Sequence, residues 1–156
     1  MERSYDEGKI STDEFFREIS SRLKLNISFA EFKPIWQNIF RLNRGVKEMI
    51  LRLKKRYRLF LLSNTNELHF DFVKKKYDVL GLLDDYILSY KVGFSKPHPR
   101  IFQEALKKAD VLPSRCIYTD DIKEHVEFAS KMGINAILFR SVDRLQRDLI
   151  EYGVII

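Results

Sequence analysis

The run Arg115-Cys116-Ile117-Tyr118-Thr119-Asp120-Asp121-Ile122-Lys123-Glu124-His125-Val126-Glu127-Phe128-Ala129 decides the fold. Cys116, Ile117, Tyr118 and Thr119 have the β-branched and aromatic character of a short buried strand. From Ile122 onward the apolar residues Ile122, Val126, Ala129 and Met132 return at helical spacing. Asp120 and Asp121 therefore sit on a strand-to-helix turn. In open α/β sheets that turn lies at the carboxyl edge of the strands, where ligands bind. Two carboxylates there are hard oxygen donors suited to a magnesium ion. The competing reading is that one Asp does no more than cap the following helix.

The same alternation extends outward on both sides. Leu59-Phe60-Leu61-Leu62 is a continuous apolar run, read as a buried parallel strand, and it stops abruptly at Ser63-Asn64-Thr65-Asn66. A helix from Glu67 to Tyr77 follows, then a loop to Asp85 and a short strand at Tyr86 to Ser89. Pro97 and Pro99 keep the stretch from Tyr90 to Pro99 irregular. A helix after Pro99 turns Ile101, Phe102, Ala105, Leu106 and Ala109 inward. Beyond the two aspartates come a strand at Ala136 to Phe139, a helix at Val142 to Tyr152, and an apolar Gly-Val-Ile-Ile tail that suits a short edge strand. Strands alternating with helices after residue 58 place this part in the α/β class, with a Rossmann-like parallel sheet covered on both faces.

The first third reads as helices only. Ser11 starts one with Phe15, Phe16, Ile19 and Leu23 on its apolar stripe, and Ser28 starts a second carrying Phe29, Phe32, Ile35, Trp36, Ile39 and Phe40. A third, from about Gly45 to Arg56, carries Val46, Met49, Ile50 and Leu53. The expected division is a small all-helical unit over 1–44 and an α/β unit over 45–156.

Bulk properties set limits on function. The chain of 156 residues holds one substantial core or a core with a small appendage. Hydrophobic content of 45% beside 32% charged residues describes a globular protein, and no apolar run reaches membrane-span length. The N-terminus lacks an apolar signal core, so a cytoplasmic location is expected. Cys116 is the one cysteine and reads as a core residue rather than a nucleophile. The formal charge of +6 is spread among acids, which favours a solvated surface over a nucleic-acid face.

Three polar groups fall at comparable points of the α/β part: Ser63 after one strand, Lys96 in the loop Gly93-Phe94-Ser95-Lys96-Pro97-His98-Pro99, and Asp120-Asp121 after another. A hydroxyl, an ammonium and a carboxylate pair converging at one sheet edge suit phosphoryl transfer, where catalysis is mostly positioning and charge neutralisation. Taken singly, each has a plainer reading: Ser63 as an N-cap, Lys96 as a solvated loop lysine, the aspartates as caps.

In that order these motifs resemble those of the haloacid dehalogenase-like hydrolase superfamily. Leu61-Leu62-Ser63-Asn64-Thr65-Asn66 looks like its second motif, Gly93 to Phe102 like its third, and Tyr118-Thr119-Asp120-Asp121 with Val126 to Ala129 and Gly133 like its fourth. The helical first third, with Asp6 to Phe15, looks like the family's small helical cap. The resemblance is closest to sugar-phosphate phosphatases of the glucose-1-phosphate type. It implies magnesium-dependent hydrolysis of a small phosphorylated metabolite, with Ser63 and Lys96 catalytic, Ser63, Asn64 and Lys96 on the substrate, and Asp120 and Asp121 on Mg2+.

Two departures from the family pattern shape the expectations. His125 stands where the family often has Asn or Asp; it suits a hydrogen bond to a turn but is a poor magnesium ligand, and it is assigned no place on the metal. The family's first motif, an Asp-x-Asp at the end of a central strand, supplies the nucleophile, and no Asp-x-Asp occurs in this sequence. The expectation is a chain without that strand, through truncation, a misplaced start or gene decay. The sheet is then incomplete, hydrolysis is absent or severely impaired, and two unpaired edges offer a route to homo-oligomers. The alternative is a non-catalytic module binding a phosphorylated ligand or a protein. Nucleic-acid and membrane binding rank below both.

Overall fold

The computed structural model describes residues 1–156. Helices α1 (Glu2–Asp6), α2 (Thr12–Leu23) and α3 (Phe29–Gln37) make up the first part. The sequence reading did not include α1. Ser11 with Glu14, and Ser28 with Glu31, form reciprocal capping boxes that start α2 and α3 where the hydroxyl–carboxylate spacing predicts. Inside them Tyr5, Phe15, Ile19 and Phe32 gather with Leu68, and Tyr5 stacks on Phe15 at 4.4 Å between ring centroids. The helical part is thus anchored on a residue of the following α/β part. α3 ends before Phe40, whose carbonyl instead accepts a hydrogen bond from the Tyr77 hydroxyl.

The remainder runs α4 (Arg44–Leu53), β1 (Phe60–Ser63), α5 (Glu67–Lys76), β2 (Asp85–Leu88), α6 (Ser89–Val92), α7 (Pro99–Ala109), β3 (Ile117–Asp120), α8 (Lys123–Lys131), β4 (Asn135–Leu138) and α9 (Val142–Glu151). β1 pairs in parallel with β2, Phe60 opposite Asp85 and Ser63 opposite Leu88. β3 pairs in parallel with β4, Ile117 opposite Asn135 and Asp120 opposite Leu138. The two pairs are separate sheets. β1 and β3 do not pair with each other, as expected for an incomplete parallel sheet.

Alternate strand residues point to opposite faces, and both faces are covered. Phe60, Leu62, Ile87 and Ala136 pack on one side with Ile101 and Phe102 of α7 and Ala129 of α8. Leu61 and Leu88 turn to the other side, against Phe70 of α5 and Leu80. Ile137 also turns that way, against Met49 of α4 and Leu145 and Leu149 of α9. Each fully buried side chain of this size, such as Ile101 or Phe102, contributes about 1.5–3 kcal/mol by leaving water.

The C-terminal tail corrects an expectation: it is not an edge strand. Val154 N–H bonds back to the Leu149 carbonyl at 3.0 Å, Ile155 N–H reaches the Tyr57 hydroxyl at 2.9 Å, and Val154 and Ile156 pack on the α4/α9 cluster. A β-branched run has strand propensity, but with its apolar groups drawn onto helices it has no ladder to join.

Candidate functional site

β1 stops at Ser63 because the next residues commit their polar groups to turns. Asn66, not Ser63, is the N-cap of α5; its Oδ1 accepts from His69 N–H at 3.0 Å. Asn64 reaches across to the loop before α7 and clasps one residue by its main chain. Its Oδ1 accepts from Lys96 N–H at 2.7 Å, and its Nδ2 donates to the Lys96 carbonyl at 3.1 Å. Two bonds to the main chain of one residue hold the loop against the end of β1, and the lysine side chain follows from that placement.

Lys96 is not a solvated loop lysine. Its side chain is only 9% exposed, and its Nζ donates to the Leu62 carbonyl at 2.9 Å and to Asp120 Oδ2 at 2.7 Å. The ammonium therefore joins the end of β1 to the end of β3, the two strands that do not pair. Asp120, with a side chain 6% exposed, is a hub. Its Oδ2 also accepts from the Tyr118 hydroxyl, while Oδ1 accepts from Ile122 N–H at 2.8 Å and lies 3.3 Å from His125 Nδ1. Burial works against the charge on Asp120, but the hydrogen bonds from Lys96, Tyr118 and Ile122 N–H outweigh it and hold the carboxyl at about 2. Burial, and the carboxylate it donates to, push the Tyr118 hydroxyl well above its ordinary value.

Of the residues singled out by sequence, Lys96 and Asp120 touch directly, and Asn64 touches the main chain of Lys96. Ser63 contributes a half-buried hydroxyl whose one hydrogen-bond partner is the Asn64 carbonyl at 3.4 Å. Asp121 is exposed and forms neither a hydrogen bond nor an ion pair. Neither aspartate is a helix cap, since α8 begins at an Ile122 N-cap without a side-chain bond. His125 is buried, and its ring faces Asp120.

Two participants escaped the sequence reading. Tyr118 lies two residues before Asp120 on the same strand, hence on the same face, and that spacing was a usable signal. Glu7 had none. It comes from the turn after α1, is 5% exposed, accepts from Arg3 and Lys9, and takes the Ser95 N–H at 3.3 Å, directly beside Lys96. Burial opposes its charge, yet the bonds from Lys9, Arg3 and Ser95 N–H bring its carboxyl down to about 2.

No three metal-ligating side chains gather anywhere in the chain. Asp121 with Asp120 is thus a partial set, one free carboxylate beside one already engaged. Such a pair fits a magnesium ion, which keeps several waters and takes one or two carboxylates with the substrate's phosphate. A cavity of about 610 Å3 lies elsewhere, on the flank of β2 among Tyr86, Lys91, Arg100 and Lys108, and does not reach Lys96 or Asp120.

A family profile described as haloacid dehalogenase-like hydrolase matches residues 9–133, well over half of the chain. This chain belongs to the haloacid dehalogenase-like hydrolases. Among its relatives, a D-ribitol-5-phosphate phosphatase of Bacteroides thetaiotaomicron is 30% identical over 135 residues, covering 82% of this chain and 66% of that protein. A glyceraldehyde 3-phosphate phosphatase of Methanothermobacter thermautotrophicus is 29% identical over 129 residues, covering 81% of this chain and 54% of that protein. The chain thus spans less than two thirds of the length of these curated relatives.

Solved structures agree on the fold. A haloacid dehalogenase family enzyme of Bacteroides thetaiotaomicron, crystallised with magnesium and inorganic phosphate, superposes with a TM-score of 0.81 at 24% identity, covering 88% of this chain and 73% of that one. A protein of Porphyromonas gingivalis described as a predicted haloacid dehalogenase-like family hydrolase gives 0.81 at 23% identity, covering 94% of this chain and 77% of that one. No helix of the chain is long and apolar enough to cross a membrane.

Proposed function

We propose that this chain carries the phosphate-binding and magnesium-binding side of a phosphohydrolase site for a small phosphorylated sugar or polyol. The observation that supports it most is Lys96, a nearly buried ammonium held between the carbonyl end of one strand and the carboxylate at the end of another. In this reading Lys96 neutralises a phosphoryl oxygen and Ser63 donates its hydroxyl to one. Asn64 fixes the lysine loop beside them, while Asp121, with Asp120 behind it, holds magnesium. Magnesium when bound supplies charge neutralisation at the phosphoryl oxygens. The relatives that act on ribitol 5-phosphate and glyceraldehyde 3-phosphate support a small polyhydroxy phosphate as the substrate class.

The chain contains no Asp-x-Asp, and the Ser63 hydroxyl has no base in contact with it. By itself the chain is therefore expected to bind but not to turn over phosphate esters. Purified chain with p-nitrophenyl phosphate and magnesium should release no nitrophenol above the buffer rate. Magnesium-dependent turnover that disappears in Asp121→Asn would overturn this. The second reading, a binding module without catalysis, is favoured by the loosely engaged Ser63 hydroxyl. It requires a saturable rise in melting temperature with inorganic phosphate and magnesium. On either reading the ligand is a metabolite of the cytoplasm rather than a nucleic acid or a membrane, and the unpaired edges of β1 and β3 are where self-association would occur.

A further inference from the structure

A second buried polar chain joins the helical part to the α/β part, away from Lys96 and Asp120. Its centre is Asn66, only 1% exposed. As the N-cap of α5, Asn66 accepts from His69 N–H through Oδ1, which fixes the amide so that Nδ2 is the donor. That Nδ2 donates to Asp6 Oδ1 at 2.9 Å and faces His69 Nδ1 at 3.2 Å. On its other side the imidazole places Nε2 3.0 Å from the Trp36 carbonyl. A carbonyl only accepts, so His69 carries its proton on Nε2 and accepts through Nδ1. The ring also stacks on Trp36, 5.2 Å between centroids and 15° between planes, and meets the edge of Phe40 at 5.0 Å.

Of these contacts, the bond that Nδ1 accepts from Asn66 requires neutral His69, while the Nε2–H bond to the Trp36 carbonyl does not. We propose that the Asp6–Asn66–His69–Trp36 chain is an acid-sensitive latch: a second proton on His69 makes Nδ1 a donor facing the Asn66 donor, breaks that bond, and places an unpaired charge in the buried contact between α5 and α3, which parts so that water reaches it. The charged groups acting on the imidazole are Asp6 and Glu2 of α1, while α3 and the segment after it present the Trp36 carbonyl and the Trp36 and Phe40 rings. Burial, the largest influence, lowers the His69 pKa from 6.5 and outweighs the Trp36 carbonyl and the two carboxylates, which favour protonation. The folded state therefore prefers the neutral ring. Its contribution to docking is complete above 6.5 and is lost as pH falls below that value.

Trp36 is the one tryptophan in the chain and reports on the latch directly. The test titrates the purified chain from about pH 8 to about pH 4.5, following tryptophan emission and far-UV circular dichroism together, with hydrogen exchange over residues 29–37 at both ends. The expected result is an emission transition with a midpoint below 6.5, unchanged circular dichroism, and faster exchange in α3 at the acid end. Asp6→Asn removes a charge that favours the imidazolium, so it moves the midpoint to lower pH. His69→Gln abolishes the transition. A flat emission curve, a transition that persists in His69→Gln, or one coincident with loss of circular dichroism would each overturn the proposal. If His69→Gln does not fold, a midpoint unmoved by Asp6→Asn overturns it equally.

Discussion

Replacing Lys96 by Met removes the ammonium that joins the ends of β1 and β3 while keeping most of the apolar stem. Three things are lost together: the 2.7 Å ion pair with Asp120, the 2.9 Å bond to the Leu62 carbonyl, and the neutralisation of a carboxylate that is almost out of water. The Asp120 carboxyl at about 2 against 3.8 corresponds to roughly 2 kcal/mol of preference for its ionised form. Removing one partner of a buried pair costs about 3–5 kcal/mol, because the other charge is stranded. Asp120 keeps the Tyr118 hydroxyl, Ile122 N–H and His125, so the expected loss for Lys96→Met near neutral pH is about 2–4 kcal/mol.

For a chain of this size each kcal/mol moves the melting temperature by about 2–4 °C, so the fall should be about 4–16 °C, read by circular dichroism. Asp120→Asn added to Lys96→Met removes the stranded charge but keeps an acceptor for Ile122 N–H. It should recover about half of the loss or more. A fall below about 2 °C in the single variant, or a double variant no more stable than the single, would refute the view that charge pairing at this point holds the strand ends together.

Two further outcomes follow from other contacts. Gly8 lies at φ +65° against the Tyr90 carbonyl, so Gly8→Ala both strains the backbone and drives a Cβ into that oxygen; it should cost at least about 2 kcal/mol, and an unchanged denaturation midpoint would contradict the packing of α1 on α6. Glu7 and Asp120 both have carboxyl values depressed to about 2, from 4.5 and 3.8. Their stabilisation is present above those ordinary values and fades as pH falls through about 2. Urea unfolding should therefore show stability dropping below about pH 4.5, and Glu7→Gln should flatten the drop.

Much of the architecture was legible because it rests on local rules. The spacings Ser11–Glu14 and Ser28–Glu31 each contain the whole of a capping box, and the apolar run before Ser63 contains the whole signal of a buried strand. The C-terminal tail misled because β-branched composition measures how well a residue suits a pleated surface, and here the tail meets helices instead. The burial of His125 was not legible for a related reason. Helical periodicity gives the face a residue occupies but not what covers that face, and the Asp120 carboxylate covers it here.

The sequence alone determined the α/β order, the turn that carries Asp120 and Asp121, and the position of Lys96 in a proline-bounded loop. Each depends on residues within a few positions of one another, where backbone geometry leaves little choice. Only the tertiary structure decided which of these groups pair. Asn64 clasps Lys96 across 32 residues, Lys96 reaches Asp120 across 24, Asp6 meets Asn66 across 60 and Glu7 meets Ser95 across 88. No periodic pattern encodes a partner at that separation. Such contacts form because a buried donor or acceptor left without a partner costs about 1–3 kcal/mol, and the packed cores determine which partner is within reach.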